Sequence, residues 1–406
     1  MERMLPLGKR HAHQYPGRLF MAYEPNPSRD PSPWRTEIFA TLRLSWPLAL
    51  ANLLQMLTYA IDVIFIARLG EEPLAASALA VSVFGLIVWA LCSMTGMVAA
   101  VISAELGARA PALRPVRRAT RMALWLAVLS GAAGMIACLG FEQFALLTGQ
   151  EPALAALGQS YMLILVWSVI PFIVNNVLRS FVSALDRPIF ATAITALGIG
   201  VNAAGNYAFI FGNWGAPALG LPGAAVATLF TSVFTMLAYV VAIRLDPKLH
   251  RYHIFGRWWV PDWPVFWQIA RKGTPIALMV SAEAGVFSAA AFLMGNIGAA
   301  QLAAHTLALQ IAALAFQVPF GVGQASTIRV GYFYGARDSD GMARAGWAGI
   351  GIALLFMSVT SSAMVLAPDY LLSIYIDPWA AANVAMVAFA TRYLLVAAAF
   401  QLVDGV

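Results

Sequence analysis

The chain has 406 residues, of which 61% are hydrophobic and 11% charged, and its mean hydropathy is +0.75. Soluble domains carry about 25% charged residues, and a chain this apolar could not bury its hydrophobic surface in one water-exposed globule. The composition therefore excludes a soluble protein and predicts an α-helical protein of the lipid bilayer. The net charge of +6 does not indicate nucleic acid as a partner, because Lys and Arg lie between apolar stretches rather than on one basic polar surface.

Residues 1–36 are rich in proline and lack the apolar core of a secretory signal, so we predict a disordered cytoplasmic tail. We assign an N-terminal lobe to residues 37–244, an inter-lobe loop to 245–273 and a C-terminal lobe to 274–406. Hydropathy predicts ten membrane-spanning helices, at residues 45–69, 75–105, 119–140, 156–184, 188–211, 219–243, 274–298, 301–330, 345–367 and 381–406.

Prolines mark several of these predicted helices. Pro47, Pro188 and Pro275 are placed in first turns, where a missing N–H group costs little. Pro171 and Pro319 are interior and should kink the fourth and eighth helices.

The basic residues predict how the chain crosses the membrane. Of the 25 Lys and Arg residues, 23 lie before the first predicted helix or in the loops after the second, fourth, sixth and eighth helices, counting the helix ends that border these loops. Loops on the cytoplasmic side of membrane proteins carry such an excess. The N-terminus is therefore expected in the cytoplasm.

The second half of the chain repeats the first. Arg43 and Arg271 lie 228 residues apart, as do Pro47 and Pro275, and 14 of the 67 positions from 43 to 109 are identical at this offset. The offset contains six predicted helices, an even number, so both copies cross the membrane in the same orientation. The sequence predicts two six-helix lobes as a parallel repeat, with the second lobe lacking its last two helices at a truncated C-terminus.

Three carboxylates lie inside predicted spans, namely Asp62, Glu283 and Asp404. Ionisable groups within a membrane are costly, and they are usually functional. Each of these could bind Na⁺, exchange a proton or balance a cationic substrate; the alternative is a neutral acid that forms hydrogen bonds between helices. The repeat places Gln55 opposite Glu283 and, with a one-residue gap, Asn175 opposite Asp404, so the two lobes differ at these positions.

Other polar residues in the spans give weaker indications. Asn202 and Asn206 are four residues apart and share a helix face, where they either link helices or contact a ligand. His305 serves helix packing or handles a proton. No nucleotide-binding or hydrolase motif and no cofactor motif is present, so transport by this chain would depend on an ion gradient.

As a set, the landmarks of this chain resemble the multidrug and toxic compound extrusion (MATE) family, particularly its Na⁺-coupled NorM-like branch. The similar segments are Pro47 with Tyr59 and Asp62, Arg68-Leu69-Gly70, Leu74-Ala75-Ala76, Gly107-Ala108-Arg109, Leu178-Arg179-Ser180, Glu283, Ala304-His305, and Phe400-Gln401 with Asp404.

The resemblance implies a monomeric antiporter in the bacterial inner membrane that needs no cofactor. It would export organic cations and other drugs in exchange for Na⁺ or H⁺, by alternating access of its two lobes. Glu283 and Asp404 match the Na⁺-site carboxylates of the family's C-terminal lobe, and Asp62 matches an N-terminal carboxylate tied to proton coupling. Some family members pair this N-terminal carboxylate with an acid on the fifth helix. That acid is absent here, with Asn206 nearby instead, and its absence favours the C-terminal site for ion coupling.

Three alternatives stay open at this point. A flippase for lipid-linked saccharides would need a basic cavity, for which Arg392 is the candidate residue. A membrane-embedded prenyltransferase would need clustered Asp-rich metal motifs, which the chain lacks. The third alternative is an inactive truncated remnant.

Overall fold

The computed structural model describes residues 33–109, 111–256, 258–380 and 384–404, so most of the predicted tail lies outside the described residues. Within these ranges, ten helices are long and apolar enough to cross a membrane, and no strand occurs. The helices are α1 (Pro33–Ala67), α2 (Glu71–Ala108), α3 (Leu113–Leu139), α4 (Pro152–Ala184), α5 (Ile189–Phe211), α6 (Leu221–Leu245), α7 (Trp263–Ile297), α8 (Ala299–Ala336), α9 (Ser339–Leu366) and α10 (Val384–Asp404). The predicted all-α polytopic fold is confirmed.

Two helices begin well before their predicted first residues. α1 starts at Pro33 and α7 at Trp263, so Pro47 and Pro275 lie inside their helices. The prediction that these prolines lie in first turns was wrong. Hydropathy marks only the part of a helix that lies in hydrocarbon, whereas both helices extend through a preceding polar and amphipathic segment. Pro171 follows a 3₁₀ turn at Val166–Ser168, the kind of irregularity that an interior proline produces.

The helix boundaries reproduce the sequence repeat. α2 begins at residue 71 and α8 at 299, and they end at 108 and 336, so 228 residues separate both boundaries. α3 and α9 also agree with this offset to within two residues. The two halves therefore share one helical scaffold, as the predicted parallel repeat requires.

The two halves meet through a close crossing of α2 and α8. A Cβ atom added at Gly107 would lie 1.8 Å from the carbonyl oxygen of Tyr332, and one added at Gly335 would lie 1.8 Å from that of Ala104. Both glycines and both carbonyl residues are repeat counterparts, so the two contacts are related by the repeat. Only a residue without a side chain lets helix backbones approach this closely.

A second line of contacts joins α1 to α8. The Asn52 amide lies 3.5 Å from the Gln317 carbonyl oxygen, and Gly321 packs closely against Ala49. Near the start of α1, Glu37 forms an ion pair with Arg329 of α8. These contacts lie toward the end of the bundle at which α1, α3, α5, α7 and α9 begin, here called the basic side. Toward the other side, the α1 residues Gln55 and Tyr59 are exposed.

The α2–α8 crossing predicts that alanine substitutions at two glycines of α8 differ in their effect on stability. Gly335→Ala should lower the midpoint of thermal unfolding in detergent, because overpacking a tight contact costs about 1–3 kcal/mol. Gly323→Ala is the matched control, since a Cβ there meets nothing within 4 Å. The control should be neutral or slightly stabilising, because alanine is the better helix former by about 1 kcal/mol. Equal midpoints for both variants would contradict the close crossing.

Candidate functional site

The best-formed polar cluster within the spans surrounds Asp62 on α1. Its Oδ1 atom accepts a hydrogen bond from the Asn202 amide at 2.9 Å and another from the Asn206 amide at 2.6 Å. Both asparagines are on α5 and at most 1% exposed. Thr228 of α6 also lies within hydrogen-bonding reach of the carboxyl group. Three helices of the N-terminal lobe thus converge on one carboxylate.

The local sequence explains how the amides reach Asp62. A spacing of four residues puts Asn202 and Asn206 one above the other on α5, and the Asn206 amide donates to the Asn202 side-chain oxygen at 3.2 Å. One turn from the start of α5, the Thr192 hydroxyl donates to the Pro47 carbonyl oxygen at 2.7 Å and fixes α5 against α1. Among described residues, the buried Oδ1 of Asn206 lacks a hydrogen-bond partner, so one acceptor in the cluster stays available.

The predicted pair in the C-terminal lobe has a different character. Glu283 on α7 is exposed and Asp404 on α10 is half-buried, and each carboxylate repels the charge of the other. Phe287 and Phe400, each one turn away from these acids, pack edge to face with ring centroids 5.8 Å apart. The structure therefore brings the two helices together at the predicted acids, but among the described residues amides do not hold either carboxylate as they hold Asp62.

The remaining predicted residues fall into separate environments. Asn175 donates to the Ser232 carbonyl oxygen at 2.9 Å and to the Thr235 hydroxyl at 2.8 Å, so it links α4 to α6. His305 packs edge to face on Tyr393, and its buried Nε2 has no hydrogen-bond partner among the described residues. Gln55, the counterpart of Glu283, is exposed. None of these three lies in the Asp62 cluster.

Sequence reasoning missed a polar connection between the lobes. The Arg179 guanidinium of α4 donates to the Asn52 side-chain oxygen at 2.5 Å, to the Leu48 carbonyl oxygen at 3.3 Å, and to the Gln324 side-chain oxygen at 3.3 Å. Gln324 belongs to α8, in the other lobe. The sequence indicated Arg179 only as part of a short motif after the fourth predicted helix, because its acceptors are neutral and distant in the chain.

A buried ion pair between Glu37 and Arg329 was missed as well. The Arg329 Nε and Nη2 atoms lie 2.8 and 2.5 Å from the two Glu37 oxygens, in a bidentate arrangement that joins α8 to α1. Glu37 is 4% and Arg329 8% exposed. Hydropathy had placed Glu37 before the first predicted span and Arg329 in the last turn of the eighth, where charges are usually solvated. Nearby, burial raises the pKa of the Asp186 carboxyl, against the opposing effect of Arg43, Arg187, Arg329 and Lys248.

Comparison with known proteins identifies similar sequences along nearly the whole chain. The family model described as MatE matches residues 47–208 and 275–406. A probable multidrug resistance protein NorM from Mesorhizobium japonicum is 42% identical over 373 residues, which cover 92% of this chain and 80% of that protein. A multidrug resistance protein NorM from Burkholderia vietnamiensis is 33% identical over 366 residues, or 90% of this chain and 78% of that protein.

Solved structures share the fold at lower sequence identity. The eukaryotic MATE transporter AtDTX14 superposes with a TM-score of 0.80 at 14% identity, over 92% of this chain and 81% of that one. A crystal structure of MATE in complex with MaD5 gives a TM-score of 0.76 at 22% identity, over 92% and 81% of the two chains. The helical arrangement described above is therefore a known one.

The Glu37–Arg329 pair predicts a strong coupling between the two residues. Glu37→Gln or Arg329→Gln alone should lower thermal stability strongly, since breaking one side of a buried pair costs about 3–5 kcal/mol. The double variant should lose less than the sum of the single losses, because neither charge is then left unpaired. Arg344→Gln is the control, as its 3.9 Å pair with Asp338 is partly exposed and should contribute about 1 kcal/mol or less. Additive losses at Glu37 and Arg329 would contradict the coupling.

Proposed function

The chain belongs to the multidrug and toxic compound extrusion (MATE) family of membrane transporters, and we propose that it exports organic cations and other drugs in exchange for Na⁺ or H⁺. Members of this family are transporters, so the expectation that the chain is not an enzyme is confirmed. The names of its NorM relatives support multidrug efflux. The bilayer and small drug-like molecules are its expected partners.

The orientation follows from the charge on the basic side. The N-terminus and the loops after α2, α4, α6 and α8 would face the cytoplasm of a bacterial inner membrane, because they carry most of the Lys and Arg residues. The contacts between Asn52 and Gln317, and between Glu37 and Arg329, would then close the path between the lobes on the cytoplasmic side. This arrangement is the one expected of an outward-facing state.

Asp62 is the residue that we assign to ion coupling in the N-terminal lobe. The supporting observation is that two buried amides from α5 hold its carboxylate within the spans, while the Asn206 Oδ1 atom has no hydrogen-bond partner in the part of the chain that the structure describes. Sequence reasoning favoured Glu283 and Asp404, because α5 offers no carboxylate partner for Asp62. Paired asparagines are a reasonable substitute, since they stabilise the carboxylate without the repulsion that a second acid would add.

Coupling in this proposal is a difference in ion affinity between two conformations. An ion bound at Asp62 would stabilise one arrangement of α1 against α5 and α6, and a bound drug would stabilise the other. α1 carries both Asp62 and the inter-lobe contacts of Asn52 and Glu37, so a shift of this helix would connect the ion site to the contacts between the lobes. Glu283 and Asp404 remain proposed as a second cation site, in the C-terminal lobe.

Three carboxyl substitutions separate these assignments. Asp62→Asn should abolish drug resistance in a host that lacks its own efflux pumps, because the amide cannot carry the charge that binds Na⁺ or exchanges a proton. Glu283→Gln and Asp404→Asn should reduce resistance if the second site also couples. Glu151→Gln is the control, since Glu151 is exposed and its side chain forms no capping hydrogen bond.

The measurement is the minimum inhibitory concentration of the drug, compared between variants that are present in the membrane in equal amounts. Resistance of Asp62→Asn at the wild-type level would exclude Asp62 as the coupling residue. Loss of resistance in Glu283→Gln and Asp404→Asn alone would restore the C-terminal assignment. Drug uptake into proteoliposomes under a Na⁺ gradient or a pH gradient, applied separately, would identify the ion.

A further inference from the structure

Four arginines share one face at the start of α3. Arg114, Arg117, Arg118 and Arg121 lie at spacings of three and four residues, which place their side chains along one side of two helical turns. We call these four residues the arginine stripe. Arg114 is exposed, Arg117 is half-buried, and the Arg118 side chain is 55% exposed, so the stripe is open to its surroundings along part of its length.

The stripe carries more positive charge than its acidic neighbour balances. Asp262, which directly precedes α7, forms an ion pair with Arg118 and also attracts the charge of Arg121. Arg117 and Arg118 repel Arg121 at the same time. The buried Nε of Arg117 has no hydrogen-bond partner among the described residues. Asp262 is paired with Arg118, so the further charges of the exposed Arg114 and the half-buried Arg117 leave a site with strong attraction for an anion.

Tryptophans lie next to the stripe. Trp125, one turn after Arg121, packs edge to face on Trp263 with ring centroids 6.4 Å apart, and its indole N–H donates to the Trp258 carbonyl oxygen at 3.1 Å. Trp259, Trp263 and Trp267 are each more than half exposed. Exposed tryptophans concentrate where lipid headgroups meet acyl chains. The arginine stripe is therefore placed at headgroup depth.

The repeat provides an internal comparison for the stripe. At an offset of 228 residues, the four arginines correspond to Met342, Ala345, Gly346 and Gly349 on α9, and Trp125 corresponds to Ala353. α9 forms on the same scaffold and begins on the same side of the bundle with a single arginine, Arg344, in its first turns. Folding of this helix position thus does not require a stripe of four arginines, which favours a role in binding.

We propose that the arginine stripe, bordered by Trp259, Trp263 and Trp267, binds the phosphate headgroup of an anionic phospholipid. Guanidinium groups donate in pairs to phosphate oxygens, and basic pockets between membrane helices are suited to anionic headgroups. The acyl chains of the lipid lie along the exposed tryptophans. Since the stripe lies on α3 and the tryptophans lie before and at the start of α7, the bound lipid contacts both segments.

Native mass spectrometry of the purified full-length chain in detergent tests this site, with dioleoylphosphatidylglycerol as the anionic probe and dioleoylphosphatidylcholine as the zwitterionic one. The wild type should bind the first phosphatidylglycerol about tenfold or more tightly than phosphatidylcholine. Arg114→Gln combined with Arg117→Gln should weaken phosphatidylglycerol binding about 30-fold, because each arginine near an anionic headgroup contributes about 1 kcal/mol. Arg114→Gln alone changes only an exposed residue and should weaken binding about fivefold.

The control combines Arg109→Gln with Arg337→Gln, which removes the same charge from two exposed repeat counterparts on the same side. It should weaken binding less than about threefold, since these residues lie outside the stripe. Equal weakening by the control and the double variant would overturn the site, as would equal binding of the two lipids by the wild type. Displacement of the lipid by an equal concentration of inorganic phosphate would exclude a lipid as the occupant. None of these measurements depends on drug transport.

Discussion

The backbone crossing of α2 and α8 constrains where the two lobes can meet. Gly107 and Gly335 leave no room for a side chain against the carbonyl groups of the opposite helix, so the crossing point cannot slide along either helix without a clash. Helices held at one such point can still tilt about it. The contacts of α1 with α8 lie on the same side of the bundle, so a tilt that separates them would open the basic side. Alternating access requires a movement of this kind.

Polar groups within the spans divide into two classes. Glu37, Arg329, Arg179 and Gln324 connect the lobes and would have to change partners when the lobes separate. Asp62, Asn202 and Asn206 lie within one lobe and can keep their hydrogen bonds during a rigid movement of that lobe. In a bilayer, every unsatisfied polar group is costly. The first class is therefore suited to setting the balance between two conformations, and the second to binding an ion.

The sequence predicted the architecture well, because length, apolarity and a constant offset are properties that one chain reveals directly. The ten spans and the parallel repeat followed from these properties and are confirmed. Asp62 and the shared face of Asn202 and Asn206 were also predicted. The hydrogen bonds between them were not, because the residues are about 140 positions apart in the chain. Glu37 and Arg329 escaped detection for a related reason, since hydropathy cannot distinguish a charge buried between helix ends from one in water.

Pulsed electron spin resonance across the α2–α8 crossing tests most directly whether the basic side opens during transport. Spin labels would replace Arg109 and Arg337, just beyond the two glycines, in a chain whose Cys92 and Cys138 are changed to alanine. We expect one short distance in the resting protein and a second, longer distance when a drug to which the chain confers resistance is added. Glu37→Gln should raise the fraction of the longer distance even without drug. A single unchanged distance in all these states, in protein that still transports the drug, would contradict an opening of the basic side.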